Sequence, residues 1–188
     1  RLHQLDEHAN AALRGQRIAS ETVNFADIPH YSVGGTIHII VNNLIGFTAE
    51  PIALHSTRFA SEAGKRVSMP IIHVNAEAPE SVWWAGKSAP EYRRRYKSDV
   101  LIDLIGFRRY GHSEIEDPTI TQPALYDKIA KHPLAWEVFA KDLGLDAATV
   151  ETMKGRATAG LREGQEKGRQ YQKRPVFWKL PEFWGRYV

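Results

Sequence analysis

The run Ile37-His38-Ile39-Ile40-Val41 constrains this chain more than any other stretch, because it stops on two amides, Asn42-Asn43. Gly34-Gly35 precede it and suit a tight turn. Short, apolar and rich in β-branched residues, the run reads as a buried strand over 37 to 42. A strand that ends on paired amides must satisfy two side-chain carbonyls and two NH2 groups. At the carboxyl end of a parallel strand, what satisfies such groups is usually a ligand.

Two further strands follow the same logic. Ile71-Ile72-His73-Val74-Asn75 also ends on an amide, and Val100 to Phe107 is apolar except at Asp103, as suits a central parallel strand. Between them a helix is expected to start at Pro79-Glu80 and reach Tyr96, broken or kinked at Pro90. The adjacent Trp83 and Trp84 cannot share one face of it. Helices are also expected over 9 to 26, 57 to 66, 123 to 131, 133 to 143 and 146 to 172. Residues 46 to 55 and 108 to 123 read as loops, the second carrying Gly111-His112-Ser113-Glu114. This alternation predicts an α/β fold, a parallel sheet flanked by helices. The expected organisation is one α/β domain over 1–145, with 146–188 as its peripheral helix and aromatic C-terminal tail, Phe177, Trp178, Phe183 and Trp184 among prolines.

Composition narrows the function. There is no cysteine, so disulfides and cysteine metal sites are excluded. No run of 18 apolar residues is present, so no membrane-spanning helix is expected, and residues 1 to 7 hold no apolar signal core. The net charge is only +3. The denser spots, Arg93-Arg94-Arg95-Tyr96-Lys97 and 167 to 174, lack any groove-reading motif and read as solvated helix faces rather than a nucleic-acid surface. No Ser-His-Asp order, phosphate-binding glycine loop or His-Glu-x-x-His occurs. Asp99 and Asp103 read as two separately satisfied carboxylates, and His38 and His73 as core-facing or hydrogen-bonded; His3, His30, His55 and His132 carry no signal.

Asn43 lies 33 positions after Asn10. This resembles the thiamine diphosphate motif, in which Gly-Asp-Gly or Gly-Asp-Ala precedes Asn-Asn by some thirty residues. More narrowly, the Gly34 to Asn43 run, Ile45-Gly46-Phe47-Thr48, His73-Val74-Asn75-Ala76, Tyr92-Arg93, Asp99 to Leu104, Arg108 to Glu114 and Pro118 to Tyr126 resemble the decarboxylating first component of the 2-oxoglutarate dehydrogenase complex. The resemblance covers roughly 8 to 145. That family is several times longer, so the chain reads as an internal piece of such an enzyme, with an incomplete thiamine-diphosphate-binding fold.

The resemblance implies cofactor contacts from Asn10, Ala11, Gln16, Asn43, Ile45 and His112. Of these, Asn10, Asn43 and the Ile45 carbonyl would hold a magnesium ion against the diphosphate, while His112 would approach the diphosphate itself. No catalytic residue is assigned within the chain. It implies oxidative decarboxylation of 2-oxoglutarate by the parent enzyme, with acyl transfer to a lipoyl arm in the tricarboxylic acid cycle. It further implies a dihydrolipoyl succinyltransferase partner, a homodimeric parent, and a cytoplasmic location, or the mitochondrial matrix in a eukaryote. The chain departs from the motif at Asn10, where the family has Asp, at Ala9 and Arg17, where it has glycine, and in the polar segment 1 to 7, where it has an apolar strand. Three alternatives stay open: a non-catalytic remnant with a degraded cofactor motif, a 2-oxoadipate dehydrogenase relative, and a basic α/β module for an anionic partner.

Overall fold

The computed structural model describes residues 5–9, 17–46, 49, 51–111, 113 and 115–170. Its centre is a four-stranded, all-parallel sheet in the order β1-β2-β4-β3. The strands are β1 (Leu5–Ala9), β2 (Ile37–Asn42), β3 (Ile71–Asn75) and β4 (Val100–Ile105). The helices are α1 (Arg17–Asn24), α2 (Pro51–Leu54), α3 (Pro79–Tyr96), α4 (Pro118–Thr121), α5 (Pro123–Lys131), α6 (Ala135–Asp142) and α7 (Ala147–Arg169), with 3₁₀ turns at Phe25–Asp27 and Ala60–Arg66. The chain divides into two compact units, 1–139 and 140–188.

Alternation along the strands builds a three-layer first unit. On one face Ile37, Val100, Ile102 and Val74 pack with Ala85 and Ala89 of α3. On the other, Ile40 and Leu101 pack with Ala19 of α1 and Ala60 of the second 3₁₀ turn. Both helical partners present alanines, which let main chains approach the sheet closely. The side chains left over on the second face are polar and paired. His38 Nε2 lies 2.9 Å from Asp99 Oδ2, and Asp99 Oδ1 accepts the Thr36 N–H at 2.7 Å. Asp103, wholly buried, takes the Ser61 hydroxyl at 2.7 Å and contacts His73 Nδ1 at 3.0 Å through Oδ2. The two carboxylates thus have separate partners and the two histidines are hydrogen-bonded, as expected from sequence, but Asp103 is only partly satisfied: its Oδ1 is buried without a hydrogen-bond partner among the described residues.

Several sequence expectations need correction. Residues 9 to 26 are not one helix: β1 ends at Ala9 and α1 starts only at Arg17. The polar N-terminal segment does supply a strand, since an edge strand is specified by main-chain pairing with its one neighbour. Ala9 is the last residue of that strand, paired with Val41, and not part of a positive-φ turn. Residues 57 to 66 form a 3₁₀ turn from Ala60 instead of an α-helix, and 46 to 55 contains α2. β4 stops at Ile105, two residues early, and the 108 to 123 loop contains α4.

Pro90 neither ends nor divides α3, which runs unbroken from Pro79 to Tyr96. Its ring costs the helix one hydrogen bond, but the buried Ala85 and Ala89 hold the flanking turns on the sheet. Pro90 itself is exposed. Pro90→Ala is therefore expected to stabilise the unit by about 1–3 kcal/mol, read as a higher denaturant midpoint. A lower midpoint would mean that the proline is required for the helix's fit. Trp83 and Trp84 are both more than half exposed and meet edge to face at 4.8 Å, with the Lys87 ammonium over both rings.

The second unit is led by α7. Asp146 caps it, accepting the Thr149 N–H at 2.7 Å and the Thr149 hydroxyl at 3.2 Å, and these bonds hold its carboxyl below the usual range. The helix carries exposed ion pairs Glu151–Lys154 and Glu163–Lys167 and buries no side chain. The aromatic tail expected over 175 to 184 lies outside the described residues.

Candidate functional site

Register places the ends of three strands level. Asn42 of β2 pairs with Ile105 of β4, and Ile105 with Asn75 of β3. β1 joins them through Ala9, paired with Val41. The carboxyl edge of the sheet therefore gathers Asn42-Asn43, Asn75, the loop that leaves β4 toward Gly111, and the chain leaving β1 toward Asn10. Helix α1 and the Ala60–Arg66 turn lie on one face and α3 on the other. The connections change face beside β2 and β4, and such a switch in a parallel sheet opens a crevice for a ligand.

Each amide at this edge organises its own loop. Asn42 Oδ1 accepts the Leu44 N–H at 3.3 Å, Asn43 Oδ1 the Ile45 N–H at 3.2 Å, and Asn75 Oδ1 the Glu77 N–H at 3.0 Å. These are side-chain turns of the kind asparagine favours, and Leu44 accordingly takes a left-handed backbone, φ 57°. An amide oxygen has two lone pairs, so Asn43 keeps one after bonding Ile45. Ile45 itself is buried, packed on Tyr126 and Ile129 of α5, and this pins the Asn43 loop.

The loop after β4 is held from below. The Tyr126 hydroxyl donates to the Arg108 carbonyl at 2.9 Å, and burial pushes its phenol up from the ordinary tyrosine value. It stays protonated, and so a donor, throughout the neutral range. Arg109 ties the same loop to the end of α5 through the carbonyls of Ile129, His132 and Pro133 at 2.9–3.2 Å. His132 Nε2 closes the ring against the Glu77 carboxylate at 2.9 Å. Asp117 caps α4 through Thr119, whose N–H and hydroxyl lie at 3.0 and 2.6 Å and hold its carboxyl below the usual range.

Of the six residues expected to touch a cofactor, Asn43 and Ile45 stand at this edge; Asn10, Ala11, Gln16 and His112 lie outside the described residues. The oxygens offered by Asn43 and the Ile45 carbonyl are hard donors of the type magnesium takes, but neutral. Among the described residues no group of three or more His, Asp or Glu is placed to hold a metal. Sequence reasoning passed over the 55 to 59 segment. It walls a cavity of about 610 Å³ with Asn42, Leu44 and Ile105, and nothing in the spacing of His55 or Arg58 marks it.

A parallel sheet flanked by helices, with amides at its carboxyl edge, defines the class as α/β. Residues 8–174 match the family model described as "Dehydrogenase E1 component", and the chain belongs to that family. It is similar to the 2-oxoglutarate dehydrogenase E1 component of Bacillus velezensis, 51% identical over 136 residues, covering 72% of this chain and 14% of that protein. Its similarity to the Bacillus subtilis protein of the same description is 48% over 144 residues, 77% of this chain and 15% of the relative. For Bacillus licheniformis the figures are 45% over 164 residues, 85% and 17%. The chain thus spans 14% to 17% of the length of these curated relatives. No helix among the described residues is long and apolar enough to cross a membrane.

Proposed function

We propose that this chain is the diphosphate-binding part of the thiamine-diphosphate-dependent, decarboxylating component of a 2-oxoglutarate dehydrogenase complex. The observation that carries the reading is the convergence of β1, β2 and β4 at one edge, with Asn43 leaving β2, in a chain of the E1 family. Asn10, Ala11, Gln16, Asn43, Ile45 and His112 are the residues that would hold the cofactor, with Asn10, Asn43 and Ile45 toward a magnesium ion. When bound, thiamine diphosphate supplies the electron sink for loss of carbon dioxide from a 2-oxo acid. The chain's own residues grip and orient: the Asn43 turn fixes one wall, and Tyr126 and Arg109 fix the β4 loop that leads to His112. Residues 1–145 carry this role and 146–188 are peripheral to it. The whole enzyme would act as a homodimer in the cytoplasm and pass its acyl group to a dihydrolipoyl succinyltransferase.

The test is release of carbon dioxide from carboxyl-labelled 2-oxoglutarate by the full-length protein with thiamine diphosphate and magnesium. Turnover of 2-oxoglutarate in preference to 2-oxoadipate and pyruvate is the expected result. Preference for 2-oxoadipate would move the substrate assignment, and cofactor-independent behaviour with no turnover would sink the reading. The second reading, a non-catalytic remnant that keeps the fold, is favoured by one observation: Asn10 and Arg17 depart from the motif while the residues from Gly34 to Tyr126 keep it.

A further inference from the structure

His132 joins three segments of the carboxyl edge that lie far apart in the chain. Its ring Nε2 stands 3.0 and 2.9 Å from the two carboxylate oxygens of Glu77, in the turn that leaves β3. A carboxylate only accepts, so Nε2 carries the proton and donates. The His132 main-chain carbonyl accepts from both terminal nitrogens of Arg109, on the loop that leaves β4, at 3.2 Å each. Its N–H closes the end of α5 on the Ile129 carbonyl at 3.1 Å. The imidazole also meets Phe107 edge to face at 5.3 Å, and the Arg109 guanidinium lies 5.4 Å from the centre of the same Phe107 ring. Phe107 packs on the cluster of Ile45, Tyr126 and Ile129.

A series of contacts therefore runs from Glu77 through His132 and Phe107 to Ile45, whose N–H the Asn43 side chain holds. At the other end, the Glu77 N–H is held by Asn75 Oδ1. The ion pair is partly open to water, 39% exposed at the His132 side chain and 20% at Glu77. Solvent-screened pairs of this kind contribute little to global stability. What this one does is local. It restrains the turn after β3 and the loop after β4 together, and an edge ordered in advance spares its ligand the cost of ordering it. We propose that Glu77 and His132 are positioning residues, a clamp that keeps the Asn43 turn and the β4 loop in the geometry that receives the cofactor. The proposal rests on the reading of this edge as the cofactor edge, and it assigns neither residue a contact with the cofactor itself.

The experiment compares the 188-residue chain with its Glu77→Ala variant, which leaves the residue-77 N–H and the His132 ring in place. Amide hydrogen exchange is followed by NMR at Ile45, which reports the Asn43 turn, and at Val100, whose N–H is held by the Thr36 carbonyl at the opposite edge of the sheet. Exchange at Ile45 is expected to quicken about two- to fivefold in Glu77→Ala with Val100 unchanged. Glu77→Gln keeps an acceptor for Nε2 and should restore most of the protection. Unchanged exchange at Ile45 would overturn the proposal. So would equal acceleration at both amides, which marks a loss of global stability only, and so would exchange as fast in Glu77→Gln as in Glu77→Ala. Thiamine diphosphate with magnesium, titrated into the same chains and followed at the Ile45 amide, separates the two levels. Binding weakened by a similar factor in Glu77→Ala supports both. Equal affinity in the two chains keeps the cofactor reading and removes the positioning role. Local loosening at Ile45, with no cofactor binding by the unaltered chain or by Asn10→Asp, keeps the clamp and removes the cofactor reading.

Discussion

Gly35→Ala is expected to destabilise the sheet-bearing unit by about 3 kcal/mol or more, among the larger effects of a single substitution. Gly35 sits at φ +85°, and a Cβ there would stand 2.2 Å from the Ser98 carbonyl oxygen and 2.6 Å from its carbonyl carbon. Both are main-chain atoms, so no rotamer change relieves the clash. Ser98 leads directly into Asp99, whose carboxylate holds the Thr36 N–H and His38, all three buried. Moving Ser98 therefore disturbs a charged hydrogen-bond pair worth about 1.5–3 kcal/mol, on top of about 1–2 kcal/mol for an L side chain in the left-handed region. The neighbour supplies the control. Gly34 also has a positive φ, +77°, but its nearest foreign atom is a flexible Lys97 side-chain carbon at 3.8 Å. Gly34→Ala should cost only the conformational part, about 1 kcal/mol. Denaturant unfolding with an unchanged slope checks both; equal losses at the two positions would show that the close approach to Ser98 does not matter.

That the glycine pair makes a turn was legible in the sequence; which glycine is indispensable was not. The pair is a local signal, whereas the contact with Ser98 joins residues sixty-three positions apart. The same division runs through the fold. Ile37–Asn42 and Ile71–Asn75 are found at the boundaries their apolar runs suggest, because each is specified by its own side chains facing a core. β1 was hidden, since Leu5-Asp6-Glu7-His8-Ala9 alternates weakly and owes its conformation to pairing with β2. Of the two outcomes expected at Pro90, a break does not occur, because local helix preference gives way to the packing of Ala85 and Ala89 on the sheet.

The site shows where sequence reasoning stops. Asn43 stood out because an amide ending an apolar run breaks a pattern. Its turn through Ile45 and the packing of Ile45 on α5 add what holds it still. Ala9 is the converse case. The family motif has a glycine at this position, but as a paired residue of β1 Ala9 occupies extended backbone that alanine adopts freely.

The unaltered chain is expected to bind thiamine diphosphate weakly with magnesium, and Asn10→Asp alone to strengthen that binding about ten- to hundredfold. The offered donors Asn43 and Ile45 are neutral oxygens, and Asn10 adds another neutral amide where the family motif has a carboxylate. Magnesium strongly favours charged oxygen ligands and gives up its water reluctantly. One charge-assisted interaction is worth about 1.5–3 kcal/mol, which converts to that range of affinity. Ala9, the residue before position 10, ends β1 beside Val41. Because Ala9 is an ordinary strand residue, adding Ala9→Gly to Asn10→Asp should bring no further gain. Calorimetric titration of the three chains, with magnesium and with it chelated, reads all of this as heats independent of turnover. Tight magnesium-dependent binding by the unaltered chain, with no gain in Asn10→Asp, would make Asn10 an adequate ligand. It would also remove the main support for a remnant that has lost its metal. A gain that appears only in the double variant would instead mean that position 9 turns rather than pairs once the cofactor is held.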